Sequence, residues 1–266
     1  MLAVAPIFAT APSVLGLGGL VVGIVVGLTG MGGGALLTPL LVVGLGLPAG
    51  VAVSSDLVVS LLMKPVGAFT HHRRGGVRKD IVRWLATGSV PAAFLGAAAM
   101  NLVLAPRAGK SVEPIIGTSL LVAAVFIVVR LVHTRKAGGA RTNDAPALRR
   151  NTTLAIGILG GFIVGMTSVG SGSLMLVLLA WCYPTLTGTT LVGTDLTQAV
   201  PLVAAAAAGH VIFGNPRLGL IIPLVIGALP GTWLGARLAH RVPERLLKPI
   251  IVFVLTASGL KLLRVI

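Results

Sequence analysis

Two stretches decide the fold: Gly27-Leu28-Thr29-Gly30-Met31-Gly32-Gly33-Gly34-Ala35-Leu36-Leu37 and Gly165-Met166-Thr167-Ser168-Val169-Gly170-Ser171-Gly172-Ser173-Leu174-Met175. Each lies between an apolar run of spanning length and a run too short to span. At one constant offset, Gly27, Thr29, Gly32, Gly34 and Leu36 fall on Gly165, Thr167, Gly170, Gly172 and Leu174. A helix broken by such a run leaves backbone N–H and C=O groups unpaired. In hydrocarbon those groups are costly, so the break must face protein or a water-filled cavity.

The correspondence extends well beyond the breaks. An offset longer by one residue carries Asp56, Leu57, His71, Gly75, Arg78, Leu85, Gly88, Pro91, Leu95 and Gly96 onto Asp195, Leu196, His210, Gly214, Arg217, Leu224, Gly227, Pro230, Leu234 and Gly235. Shared Gly and Leu mean little in this composition, but Asp and His in register indicate a duplication. Ten apolar segments follow, at 13–29, 34–47, 49–71, 82–104, 115–133, 152–168, 172–184, 187–212, 218–240 and 247–264. Spanning ~30 Å of hydrocarbon takes about 20 residues. The segments at 34–47 and 172–184 are therefore broken or re-entrant helices. The expected fold is an all-α membrane protein of two repeats with about five hydrophobic segments each, residues 1–134 and 151–266, joined by a polar cytoplasmic linker at 135–150.

Composition agrees. The chain has 266 residues, 55% hydrophobic and only 10% charged, with a mean hydropathy of +1.01, whereas a soluble domain carries about 25% charged residues. The net charge of +15 does not point to nucleic acid. Aromatic residues that would stack on bases make up 4%, and the Lys and Arg lie mostly in short connections, as the positive-inside bias of cytoplasmic loops predicts. The lone Cys182 excludes an intrachain disulfide and, without a second soft ligand, a thiolate metal cage. His71 and His72 are too few to hold a metal. No Lys or Arg precedes the apolar stretch from Met1 to Val26, so it is expected to remain as a membrane helix rather than be removed as a signal.

Loop charge orients the halves. Arg73 to Arg83 carries five basic residues and one acid, and Arg130 to Arg150 carries six and one, so both are expected in the cytoplasm. The counterpart of the first loop, Gly214 to Arg217, holds a single Arg, whereas Arg237 to Lys248 holds four basic residues against Glu244. Basic and neutral loops thus exchange between halves, as inverted-topology repeats require. Parity then places both termini outside, with Lys261 and Arg264 the one discordant signal.

The short segments aim their N-terminal N–H groups, and the positive ends of their dipoles, into the cavity formed at the breaks, which suits an anion. Close helix packing through small residues is the competing reading of each glycine run taken singly. The candidate substrate-binding residues are Thr29, Gly30, Met31, Gly32, Gly33 and Gly34 from the first break. Thr167, Ser168, Val169, Gly170, Ser171 and Gly172 come from the second. Charges at membrane depth are rare and functional by default. Asp56, Ser60 and Lys64 recur every four residues, which gives one polar helix stripe facing the interior. Lys64 is expected to hold an anion or pair with Asp56. Asp195 repeats Asp56 with Gln198 one turn on, and these three are the coupling or gating candidates. His71 and His210 are read as interfacial caps at segment ends, and Arg78 and Arg217 as headgroup anchors.

Together these residues carry a resemblance. Gly27-Leu-Thr-Gly-Met-Gly-Gly-Gly-Ala-Leu-Leu-Thr-Pro39, Ala68-Phe-Thr-His-His-Arg-Arg-Gly-Gly-Val77, Thr194-Asp195-Leu196 and the Pro91 to Gly96 and Pro230 to Gly235 turns resemble the sulfite exporter TauE/SafE family over nearly the whole chain. The resemblance implies a multi-spanning permease of the bacterial inner membrane that exports sulfite or small organosulfonates such as sulfoacetate. No cofactor is expected. The partners expected are a small anionic substrate and the bilayer, with ion coupling open between a proton and none and the oligomeric state open, a homodimer included. A channel-like anion pore and a non-transporting structural subunit are the alternatives. An enzyme is disfavoured, since the chain has no His-Glu-x-x-His, no serine elbow and only six carboxylates.

Overall fold

Helix boundaries follow proline, glycine and polarity closely in the computed structural model, which describes residues 11–29, 33–72, 76–104, 112–136, 147–170, 172, 174–239 and 244–263. Ten helices lie among the described residues: α1 (Pro12–Thr29), α2 (Gly34–Pro39), α3 (Ala49–His72), α4 (Lys79–Ala98), α5 (Val112–Lys136), α6 (Arg150–Thr167), α7 (Leu174–Cys182), α8 (Gly188–Phe213), α9 (Leu218–Leu238) and α10 (Glu244–Leu262). Five stretches are long and apolar enough to cross a membrane: Pro12–Thr29, Ala49–Val66, Lys79–Leu104, Thr190–Phe213 and Leu218–Leu238. Large apolar side chains such as Leu17, Val125, Leu159, Ile226 and Phe253 point outward. Water would penalise such a surface, and lipid does not.

Both breaks have local causes. In α2, Pro39 has no N–H to give, and beyond it the ladder slips to a π-helix at Leu40–Gly44, with Leu45 N–H donating to the Leu40 carbonyl at 3.0 Å. Gly46, at φ 66°, then turns the chain. At the end of α6, Ser168 takes the left-handed conformation at φ 60° and Gly170 stands at φ 105°. That reversal stops α6, and α7 starts afresh four residues later with Leu174 N–H on the Gly170 carbonyl. The second short segment is therefore 174–182, tighter than the expected 172–184, because Tyr183-Pro184 ends it.

What packs the long helices is a feature not anticipated above, columns of small residues four apart. Gly19, Gly23 and Gly27 of α1 lie against the backbones of Leu224, Ala228 and Thr232 of α9, while Gly227, Gly231 and Gly235 of α9 lie against Gly16, Leu20 and Ile24 of α1. A second helix pair repeats the arrangement, with Gly157, Gly161 and Gly165 of α6 on Leu85, Ser89 and Ala93 of α4, and Gly88 and Gly96 of α4 on Leu154 and Phe162 of α6. Lipid gives helices no hydrophobic incentive to associate, so such backbone approaches supply the dispersion contact instead. Each pair joins a helix from residues 1–134 to one from residues 151–266: α1 packs on α9, and α6 on α4. A Cβ at Gly161 would fall on the Ser89 backbone. Gly161→Val and Gly23→Val are therefore expected to cost about 3 kcal/mol or more and to abolish the monodisperse folded peak in size-exclusion chromatography. Valine at exposed Ala155 leaves that peak unchanged.

The relative directions of the helices can be read from their contacts. Along α1 and α9 contacts advance together, so these run parallel, as do α6 and α4. The counterparts α3 and α8 run antiparallel, since Ser54, near the start of α3, meets His210 near the end of α8. In α5 and α10, Gly117 touches Gly259 and Leu262 while Leu121 touches Gly259, again antiparallel. Of the five spans, α3 has the largest buried share, and it forms the centre of the bundle.

Candidate functional site

The first half supplies the centre of the site through α3. Asp56 is fully buried, as are Ser60 and Lys64, and the four-residue spacing puts all three on one inward stripe, as expected. The Asp56 carboxylate is well satisfied. Thr38 Oγ1 of the short helix α2 donates to Oδ2 at 2.6 Å, and Ser60 Oγ donates to Oδ1 at 3.0 Å. A buried carboxylate without such donors would be costly. With them, Asp56 clamps α2 to α3.

The two breaks meet at this point. A Cβ on Gly33 would lie 2.7 Å from Ser60 Oγ and 3.6 Å from Asp56 Oδ1, so the first break presses directly on the charged stripe. A Cβ on Gly34 would fall on the Ser168 carbonyl oxygen, so the second break touches the first. Ser168 Oγ is buried beside the Asp56 carboxylate but off hydrogen-bond geometry, and no other group takes its proton. Gly30, Met31, Gly32 and Ser171 lie outside the described residues, as do the side chains of His71 and His72. Val169, Gly170 and Gly172 are buried in the second break. Behind it, a largely apolar cavity of about 410 Å³ is lined by Thr118, Val122, Met166, Thr167 and Leu174 among others.

The second half contributes Asp195 and Gln198, both buried on α8. Lys64 lies in electrostatic range of both carboxylates, with Asp195 the stronger influence and Asp56 the weaker. Gln198 Nε2 donates to Ser89 Oγ of α4, leaving its carbonyl oxygen buried without a hydrogen-bond partner. Thr29 Oγ1 donates back to the Val25 carbonyl and Thr167 Oγ1 to the Ile163 carbonyl, each at 2.8 Å. These hydroxyl protons are held within their own helices, unlike that of Ser168.

Two expectations are corrected. His210 is not an interfacial cap, for its ring is fully buried at the junction of α3, α6, α8 and the π-helix Ala99–Leu104. Three polar partners make that burial tolerable. Nor does Arg78 face headgroups alone: its guanidinium pairs with Asp80, and its backbone N–H donates to Thr194 Oγ1 at 3.1 Å. Its counterpart Arg217 likewise donates its N–H to Ser55 Oγ at 3.3 Å. Each hydroxyl immediately precedes an Asp, so the same contact occurs twice with the halves exchanged. The repeated Ser55-Asp56-Leu57 and Thr194-Asp195-Leu196 in the sequence could have signalled it. Among the described residues no cluster of His, Cys, Asp and Glu could hold a metal.

Comparison with known proteins agrees with this architecture. The family model described as sulfite exporter TauE/SafE matches residues 15–262. The chain is 38% identical over 248 residues to the probable membrane transporter protein YjnA of Bacillus subtilis (strain 168), covering 92% of this chain and 97% of that protein. It is 24% identical over 246 residues to the probable membrane transporter protein YdhB of the same organism, covering 91% and 96%. No solved structure gives a significant match. The relatives' names describe transporters rather than enzymes. An all-helical bundle with an apolar exterior, two broken helices meeting at buried charges, and a family match over almost its full length lead to one conclusion: this multi-pass membrane protein belongs to the sulfite exporter TauE/SafE family and is a membrane transporter.

Proposed function

We propose that the chain exports a small sulfur-containing anion, sulfite or an organosulfonate such as sulfoacetate, across the bacterial inner membrane by alternating access between two inverted halves, residues 1–134 and 151–266. The observation that carries this reading is the meeting of the two breaks on the charged stripe of α3, with Gly33 on Ser60 and Asp56 and Gly34 on Ser168. Backbone N–H groups of the breaks, the Ser168 hydroxyl beside Asp56 and the Lys64 ammonium form a donor set suited to an oxyanion. Asp56 and Asp195 outweigh the single charge of Lys64. An anion entering here adds repulsion in a low-dielectric setting, and a proton taken up by one carboxylate offsets it. Asp56, Asp195 and Gln198 are on this account the coupling group.

Alternation has a physical handle in the exchanged contacts of Arg78 with Thr194 and Arg217 with Ser55. Releasing one while keeping the other opens a single side. Inversion is supported by the antiparallel pairing of α3 with α8 and of α5 with α10, in line with the exchanged loop charges. Reporters fused within the linker 135–150 are expected to read cytoplasmic, and those near Arg107 and after Asn215 external. Sites near Arg78 and Asn215 on the same side of the membrane would refute the inversion. For the substrate, purified protein in liposomes is expected to move sulfite or sulfoacetate faster than thiosulfate, taurine and sulfate. A panel with no preference for a sulfite or sulfonate group removes the substrate assignment.

A further inference from the structure

His210 is a buried polar group that stands apart from the charged stripe of α3. Its Nε2 lies 2.7 Å from the carbonyl oxygen of Gly165, and a carbonyl can only accept, so Nε2 carries the proton. In that neutral tautomer Nδ1 is the acceptor, taking the hydroxyl proton of Ser54 at 2.8 Å and an amide proton of Asn101 at 3.1 Å. Asn101 orients its amide by donating also to the Ala97 carbonyl at 2.8 Å, and the π-helix on which it sits turns it toward the ring. All three partners come from other helices: Gly165 from α6, Ser54 from α3, Asn101 from the π-helix that follows α4.

The Gly165 carbonyl is a product of the break. In an uninterrupted helix it would accept from the N–H of Val169, four residues on. The left-handed turn at Ser168 removes that donor, and Val169 N–H goes instead to Thr167 Oγ1 at 3.2 Å, while Ser168 N–H caps the preceding carbonyl, that of Val164. A side chain on a distant helix supplies what the backbone cannot. A carbonyl orphaned in the membrane interior would otherwise favour closing α6 back into regular helix.

We propose that His210 is a positioning residue for transport: it holds the Gly165 carbonyl so that the second break stays open toward the anion, and it ties that shape through Ser54 to α3, two residues before Asp56. The sequence repeats the pair as Gly27 and His71. This rests on the anion site proposed above, and its test separates the two. A glutamine amide nitrogen reaches about as far as Nε2, whereas an asparagine amide overlays Nδ1 and falls short of Gly165.

Sulfite transport in liposomes is measured for His210→Gln, His210→Asn and His210→Leu, normalised to folded carrier. His210→Leu and His210→Asn are expected to raise the sulfite KM about tenfold, the order expected for one buried hydrogen bond, with a smaller effect on the maximal rate. His210→Gln is expected to stay within about threefold of the natural protein. Equal KM for the Gln and Asn variants, whether unchanged or equally raised, overturns the proposal, and that comparison decides the matter even if His210→Leu does not fold. Lys64→Gln is run alongside. If it impairs sulfite binding while Gln and Asn at 210 do not differ, only the role of His210 falls. If it leaves sulfite binding intact, the anion site falls with it.

Discussion

Gly33→Val is expected to lower transport about a hundredfold or more while the protein still inserts and folds. The first carbon of the new side chain would stand 2.7 Å from Ser60 Oγ, closer than two such atoms can approach. Ser60 must turn away and give up its hydrogen bond to Asp56 Oδ1, and the rest of the valine occupies the space where the breaks converge. Displacing site groups by an ångström costs that order of activity. The fold survives because the obstruction is a single small hydroxyl rather than backbone. Gly34→Val is the contrasting case. Its Cβ would fall on the Ser168 carbonyl, which cannot move without dragging the second break, so folded protein itself is expected to be lost. Thermal melting of the purified variants, read beside sulfite flux, separates the two. A fully active Gly33→Val protein would mean that the first break serves packing alone.

Lys64→Gln carries the second large expectation. Removing the ammonium takes away the positive charge that lies in electrostatic range of two buried carboxylates, Asp195 and, more weakly, Asp56. Breaking a buried ionic group by deleting one partner costs about 3 to 5 kcal/mol. The variant is therefore expected to melt well below the natural protein and, where it folds, to lose roughly 1 to 3 kcal/mol of anion affinity from the missing charge-assisted contact. Adding Asp195→Asn is expected to recover most of the stability and little of the affinity. The carboxylate's repulsion is then gone, but the anion's partner is still missing. A double variant no more stable than Lys64→Gln alone would show that Lys64 and Asp195 act independently.

Much of this arrangement was legible in the chain because hydrophobic runs, proline and glycine report on local structure. The apolar segments correspond in number and order to the helices, and their ends differ by a few residues at most once the π-helices Leu40–Gly44 and Ala99–Leu104 are joined to α2 and α4. The short helices were marked by the breaks before them, and the stripe of Asp56, Ser60 and Lys64 by its spacing alone. What escaped was information held between helices. The columns at Gly19, Gly23 and Gly27 and at Gly157, Gly161 and Gly165 were present in the sequence. Among 36 glycines, a four-residue period draws little notice until its partner backbone is known. Thr38 gives no sign that it reaches Asp56, because that depends on how α2 folds back after the break. His210 sits where an apolar run ends, which suggests an interface. Its burial is decided by Ser54, Asn101 and Gly165, three positions far apart in the chain.

The central claim, that two convergent breaks carry a sulfur oxyanion by alternating access, is tested most directly by sulfite counterflow in liposomes containing the purified protein. Labelled sulfite inside should leave at a rate that saturates with its concentration, that rises when unlabelled sulfite is supplied outside, and that falls to the level of protein-free liposomes in Gly33→Val. Efflux that grows in proportion to concentration with no response to external sulfite would contradict the carrier mechanism. Efflux no faster than from protein-free liposomes would contradict the substrate itself.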